Sequence, residues 1–271
     1  MLQELDTSPK PGLVDREDNG AHSDMDYLCF RRSIEAVAPY FSTAMQCASG
    51  RSADVDLWQD VRHIGLSAEK AMFSATRGVN THKGQIFVLM LLSAAAASVS
   101  SIGVPALQHG VRSMTRGMVE QELITGLSQE RELSHGERLF LRFGLTGIRG
   151  EAESGFPVIF EYGLPVYAGM CSRGYSVNDA SLQALLAIMS RAQDTTIVHR
   201  GGINALKYVQ DMSAEVLYLG GVRTDAGMSY VRHMNKELIS RGISPGGCAD
   251  LLAGTLFVYE ATRERISNGT D

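Results

Sequence analysis

Residues 84–111, GQIFVLMLLSAAAASVSSIGVPALQHGV, contain no Asp, Glu, Lys or Arg, and their reading decides what kind of protein this is. A run of that length can span a bilayer, which takes about 20 predominantly apolar residues. Only Ile86 to Ala97 is densely apolar, however, and serines, a glycine and Pro105 follow. The dense part is too short to span, so it predicts a helix buried in a protein core and no membrane association. Its apolar surface can serve that core or a subunit interface, which is compatible with a homo-oligomer.

The flanking sequence keeps the same period. Leu57, Trp58, Val61, Ile64, Gly65, Ala68 and Met72 fall on one stripe at i, i+3, i+4, i+7 spacing. Leu182, Leu185, Leu186 and Met189 repeat it, as do Leu251, Leu252, Thr255, Leu256 and Tyr259. Strand-like alternation is scarce. The pattern predicts an all-α protein, a single compact multi-helix domain over residues 1–271 with about ten helices. These run over 23–46, 55–76, 84–98, 104–125, 135–145, 158–170, 177–192, 203–218, 225–240 and 246–263, with loops at 126–135 and 145–157. No Pro-, Ser- or Gly-rich linker divides the chain, and no internal repeat is visible.

Composition narrows the function. The 44% apolar content supplies a sizeable core, and the formal charge of -5 argues against broad nucleic-acid or membrane-surface binding. Cys29, Cys47, Cys171 and Cys248 lie far apart with no C-x-x-C pair, which reads as reduced thiols in a cytoplasmic protein. The start, MLQELDTSPKPGLVD, lacks the basic and apolar regions of a secretory signal. The 28 glycines are too many for an idealised bundle, since each costs about 1 kcal/mol in mid-helix relative to Ala. Most lie between the expected helices beside polar residues, where backbone N–H groups can approach a ligand.

Five such segments can carry chemistry. In SPKPGLVDREDNGAHSDMD (8–26), Ser23 can cap a helix with Asp24 and Asp26 in its first turn, and His22 and Asp26 are spaced to share a face. Capping does not account for Lys10, Asp15, Asn19 and His22 upstream, and paired carboxylates are how Mg²⁺ is usually held. In GVNTHKG (78–84), Asn80 or Thr81 can cap the apolar helix, leaving its positive end beside His82 and Lys83 as an anion site. RGEAESGFP (149–157) offers Arg149 as a phosphate clamp and Glu151 as a base or metal ligand, although a solvated loop explains it equally well. DTTIVHRGG (194–202) places Asp194, His199 and Arg200 within seven residues. SPGGCAD (244–250) starts the last helix with Ser244 as cap, bare amides at Gly246 and Gly247, and Asp250 one turn on. None matches a Walker A loop, a dinucleotide fingerprint or an H-E-x-x-H site.

In order along the chain, SPKPGLVDREDNGAHSDMD, ATRGVNTHKGQIF, GIRGEAESGFP, QDTTIVHRGG and SPGGCADLLAGT resemble the triphosphoribosyl-dephospho-CoA synthase family. The resemblance runs from residue 8 to about 260. It departs from the family pattern at Arg77, Thr196 and Cys248, where glycine, asparagine and serine are common. It implies an all-α transferase that takes ATP and 3′-dephospho-CoA, releases adenine, and makes the prosthetic-group precursor for citrate lyase or malonate decarboxylase. Partners would then be a downstream transferase and an acyl-carrier protein. The resemblance also implies a site drawn from Lys10, Asp15, Asn19, His22, Asp24, Asp26, Asn80, Thr81, His82, Lys83, Arg149, Glu151, Asp194, His199, Arg200, Gly246, Gly247 and Asp250.

Such a reaction is a glycosyl transfer at the ribose C1′, with an oxocarbenium-like transition state that carboxylates serve. The expected roles are phosphate binding by Lys83, Arg200 and the amides at Gly246 and Gly247, and Mg²⁺ binding by Asp24, Asp26 and Asp250. Asp194 is the expected base, with His82 or His199 near the departing adenine. Two other classes fit the same residue types: a helical metal-dependent nucleotide phosphohydrolase, and a nucleotide-binding module without catalysis.

Overall fold

The computed structural model describes residues 1–126 and 132–266, all helix, turn and loop with no strand among the described residues. The helices are α1 (Leu2–Asp6), α2 (Tyr27–Ala48), α3 (Val55–Ala75), α4 (Lys83–Ser98), α5 (Val104–Met114), α6 (His135–Phe143) and α7 (Gly147–Glu153). They continue with α8 (Leu164–Ser172), α9 (Val177–Met189), α10 (Thr195–Gly201), α11 (Ile203–Tyr218), α12 (Asp225–Ser240) and α13 (Gly246–Ile266).

The all-apolar stretch is α4, buried on every side and packed against α2, α3, α5 and α13. A helix without a polar face belongs in an interior. α9 is buried throughout Ala180–Met189, and α13 crosses between it and α4. Gly254 permits that crossing, since a Cβ there would fall 2.5 Å from Cδ1 of Ile159 and 2.8 Å from Cγ1 of Val88. The amphipathic helices surround this centre, each burying its stripe: Leu57, Trp58, Val61, Ala68 and Met72 on α3, for example. No described helix is long and apolar enough to cross a membrane.

Several expected boundaries shift, for local reasons. α2 starts at Tyr27 and not near Ser23, because Asp26 caps it by accepting from the Cys29 amide at 2.7 Å. His22 and Asp26 therefore share no helix face. The expected 104–125 helix stops at Met114, where the Thr115 hydroxyl donates to Val111 O and Ala152 O, and Gly117 turns with φ +79°. A π-helical turn, Glu120–Thr125, resumes it. Val158–Gly163 is likewise a π-helical turn before α8, in which Pro165 can occupy the first turn without needing its missing N–H. The loop expected at 145–157 holds α7, and α1 and α10 also escaped the periodicity because each is two turns or less. Of the loop expected at 126–135, residues 127–131 lie outside the described residues.

Leu91 is fully buried on α4, so Leu91→Ala should cost about 2–5 kcal/mol of unfolding free energy in urea titrations. Leu141, largely exposed on α6, should change it by no more than about 0.5 kcal/mol when made Ala.

Candidate functional site

The starts of four helices meet. At α4, Asn80 Oδ1 accepts from the Lys83 amide at 3.1 Å. Gly84 follows, and a Cβ there would fall 1.8 Å from Oδ2 of Asp250, so the Asp250 carboxylate lies directly on the backbone of the α4 start. The Gln85 amide donates to it. At α13, Pro245 O accepts from the Cys248 and Ala249 amides, so Ser244 sits outside the cap it was expected to form. Its hydroxyl instead lies 2.9 Å from His22 Nε2.

Asp194 joins α10 to α13. Its Oδ1 accepts from the Thr196 and Ile197 amides at 2.7 and 3.3 Å, and its Oδ2 accepts from the Cys248 amide at 2.9 Å. A Cβ on Gly247 would come within 3.0 Å of this carboxylate, which accounts for glycine there. At the α13 start the Cys248 amide is thus taken by a side chain, directly after Gly246 and Gly247. α7 closes the group. Gly147, at φ +54°, faces Thr195 with 2.8 Å between its would-be Cβ and Cγ2, and the helix carries the half-buried Arg149 and Glu151.

Three carboxylates here titrate above their ordinary range. Burial raises Asp250 well up, and the charges of Asp194 and Glu4 push it further. Burial also raises Asp194, against the downward pull of its three amide donors. Glu151 is raised by burial and then by Glu161, although its Oε2 accepts from the Val158 amide at 3.2 Å. Among these carboxylates a proton or a cation is favoured.

The N-terminal segment is split between two places. Lys10 is only 1% exposed and pairs with Glu4 at 2.5 Å, while Gln85 Nε2 donates to the other Glu4 oxygen. Lys10 is therefore neutralised inside the fold and is no phosphate ligand. Asp15, also buried, accepts from the amides of Lys10, Glu17 and Asp18 and so shapes the loop. Asn19 lies in an exposed cleft with Asp15 and Asp26. His22 contacts Ser244, Arg200 NH2 at 3.1 Å and Asp24 at 3.7 Å, and burial followed by the Arg200 charge lowers its pKa. Arg200 is spent on this junction, donating also to Ala21 O and Gly242 O. His199, exposed, lies against the His135 ring at 3.6 Å between centroids.

Two further expectations need correction. His82, expected near the departing base, is 1% exposed. Its Nδ1 lies 2.7 Å from Ser33 Oγ and 3.1 Å from Thr81 Oγ1, and burial takes its pKa down to about 3. A neutral, enclosed imidazole of that kind is a poor proton shuttle. Asp24 and Asp26 are exposed on the N-terminal loop, away from the packed Asp250, and no group of three metal-binding side chains occurs among the described residues.

What periodicity hid is a cleft of about 220 Å³ beside the α4 start. Trp58, Phe87, Met90 and Ile148 line it, with Arg62, Lys83 and Arg149 also in its wall. Arg62 and Arg149 each reach one oxygen of Glu122 at 2.6 Å, and Lys83 pairs with Glu69 at 3.2 Å. On α3, Trp58 and Arg62 read only as parts of an amphipathic helix. Arg77, where the motif usually has glycine, adopts φ +57°, the left-handed conformation that glycine enters freely.

His82 yields a pH prediction. The folded chain keeps it neutral down to about pH 3, whereas the unfolded chain protonates it from about 6.5 downward, so folding stability falls as pH drops through that window. Melting temperatures measured across that range should fall less steeply for His82→Gln than for the unaltered chain.

Sequence and fold comparisons show what the chain is similar to. The family model described as ATP:dephospho-CoA triphosphoribosyl transferase matches residues 1–268. A 2-(5''-triphosphoribosyl)-3'-dephosphocoenzyme-A synthase of Klebsiella pneumoniae is 44% identical over 264 residues, 95% of this chain and 87% of the relative. A crystal structure from Archaeoglobus fulgidus, assigned as a triphosphoribosyl-dephospho-CoA synthase, superposes with a TM-score of 0.55 at 17% identity. That superposition covers 84% of this chain and 97% of the other, and it bears on the fold alone. The chain belongs to the ATP:dephospho-CoA triphosphoribosyl transferase family, and it is an enzyme of that class.

Proposed function

We propose that this chain transfers the triphosphoribosyl group of ATP to the 2′-hydroxyl of 3′-dephospho-CoA and releases adenine. The observation that supports it best is the carboxylate group of Asp250, Asp194 and Glu151 at the meeting of helix starts, with Lys83 and Arg149 alongside. Charge develops on the ribose ring as adenine departs, and nearby carboxylates stabilise it. Lys83 and Arg149 are placed to hold phosphate oxygens, Arg149 in a bidentate manner. Asp250 is the base we favour over Asp194. Both Asp194 oxygens are engaged by backbone amides, which makes it the positioning residue that sets the α13 start. Asp250 keeps some exposure, and its raised pKa suits removal of the hydroxyl proton.

Mg²⁺ fits this donor set. Such an ion usually rests on one or two carboxylates together with substrate phosphates, and Glu151 is a hard oxygen donor on the same helix as Arg149. It would neutralise triphosphate charge there. The product would be the prosthetic-group precursor for citrate lyase or malonate decarboxylase, passed in the cytoplasm to a second transferase and an acyl-carrier protein.

Incubation with ATP, Mg²⁺ and dephospho-CoA should release adenine only when dephospho-CoA is present. Release of phosphate or pyrophosphate instead would favour a phosphohydrolase and overturn the reading. Asp250→Asn should lower kcat by about 10²–10⁴-fold while far-UV circular dichroism is unchanged. Asp194→Asn should in addition destabilise the fold by about 1–3 kcal/mol, because one oxygen facing a buried amide is lost.

A further inference from the structure

The cleft between α3, α4 and α7 has features that phosphate binding does not require. Trp58, Phe87, Met90, Ile86, Leu66 and Ile148 make most of its lining apolar, and the Trp58 and Phe87 rings meet edge-on at 5.5 Å. Its volume, about 220 Å³, is below the roughly 300–1,000 Å³ of sites that enclose a drug-sized ligand, so it suits one ring system and not a whole nucleotide. Trp58 is 4% exposed, and its Nε1 is buried without a hydrogen-bond partner. Indole N–H groups in such surroundings ordinarily have an acceptor, and leaving one out costs free energy. Gly65 adds room: a Cβ there would meet only Met90 Cγ, at 3.7 Å.

The rim then gives the orientation. Lys83 and Gly84 belong both to this cleft and to the α4 start on which Asp250 rests. Arg62 and Arg149, also in its wall, are held by the two oxygens of Glu122. A flat ring in the cleft would therefore have its attached ribose beside Asp250 and its phosphates within reach of Lys83 and Arg149.

We propose that this cleft is the adenine subsite, with Trp58 and Phe87 as its aromatic walls and the Trp58 indole N–H as donor to a ring nitrogen of the purine. The inference rests on the transferase reading for the identity of the base, since both substrates carry adenine. A hydrogen bond to the ring would also favour its departure, because the electron pair of the breaking C1′–N bond moves into the ring as the 2′-oxygen bonds to C1′.

Trp58 is the single tryptophan of the chain, so its fluorescence reports on the cleft directly. Free adenine should quench or shift the emission saturably, and inorganic triphosphate, which lacks the ring, should not. Separate titrations with ATP and with dephospho-CoA then identify whose adenine enters, as the one whose effect free adenine competes away. Gly65→Leu, which fills the cleft and improves the helix, should abolish the response and raise the KM for that substrate by about tenfold or more, as expected for loss of one stacked base. It should melt no lower than the unaltered chain. Trp58→Phe, which keeps a ring and loses the donor, should lower kcat more than it raises KM. An emission indifferent to adenine, in protein that releases adenine during turnover, would overturn this subsite and leave the transferase reading intact. Saturable adenine binding without turnover would do the reverse.

Discussion

The site depends on where one carboxylate spends its hydrogen bonds. Asp194 caps α10 through Thr196 and Ile197 and, with its other oxygen, holds the Cys248 amide of α13. Two helices far apart in sequence thereby begin at a fixed distance, and α13 cannot rotate without giving up that bond. Because α13 is locked at its start, Asp250, one turn further on, is delivered onto the backbone of Gly84. Glycine at 84 and at 247 is the other half of the same constraint, since any Cβ would occupy the space of a carboxylate.

Burying these carboxylates costs free energy, visible in the upward shifts at Asp250, Asp194 and Glu151, and at Asp250 the charges of Asp194 and Glu4 add to it. Helix starts offset part of it. The Gln85 amide donates to Asp250 at the positive end of α4, and three amides converge on Asp194. Behind them, Lys10 neutralises Glu4 in a buried pair, so that the negative charge near Asp250 is smaller than the count of acids implies. The hydrophobic core packed around them supplies the stability against which this polar centre is maintained.

Much of the fold was legible in the sequence because its signals are long. α3 shows a stripe over about four turns and α9 one over about two, and α4 declares itself by having no charge after Lys83. α1, α7 and α10 are too short to show a period, and the break after Met114 depends on a Thr115 contact with Ala152 that no local pattern encodes. For the site, density of polar residues and glycines found the segments that converge. It could not separate side chains that face a ligand from those that face the fold. Lys10, Asp15 and His82 have the residue types of a catalytic centre, yet their partners are Glu4, backbone amides and Ser33, which lie on other elements or are main chain. Trp58 is the converse case: its place on an apolar stripe is a core signal, and only the three-dimensional surroundings show an indole N–H without an acceptor.

These assignments also change what limits the reaction. If phosphate binding dominated, the cations at the rim would be the sensitive residues, and their effects would appear chiefly in substrate affinity. Arg62 and Arg149 are already held by Glu122, and Lys83 by Glu69, so they are ordered before any ligand arrives and lose little freedom on binding it. The carboxylates are in the opposite condition: crowded, raised in pKa, and relieved when positive charge appears among them. An interaction that strengthens as charge develops at the ribose carbon lowers the barrier, whereas one equally strong throughout only tightens binding. On the proposed roles, the energetic asymmetry of this site therefore lies with Asp250 and its neighbours and not with the cations at the rim.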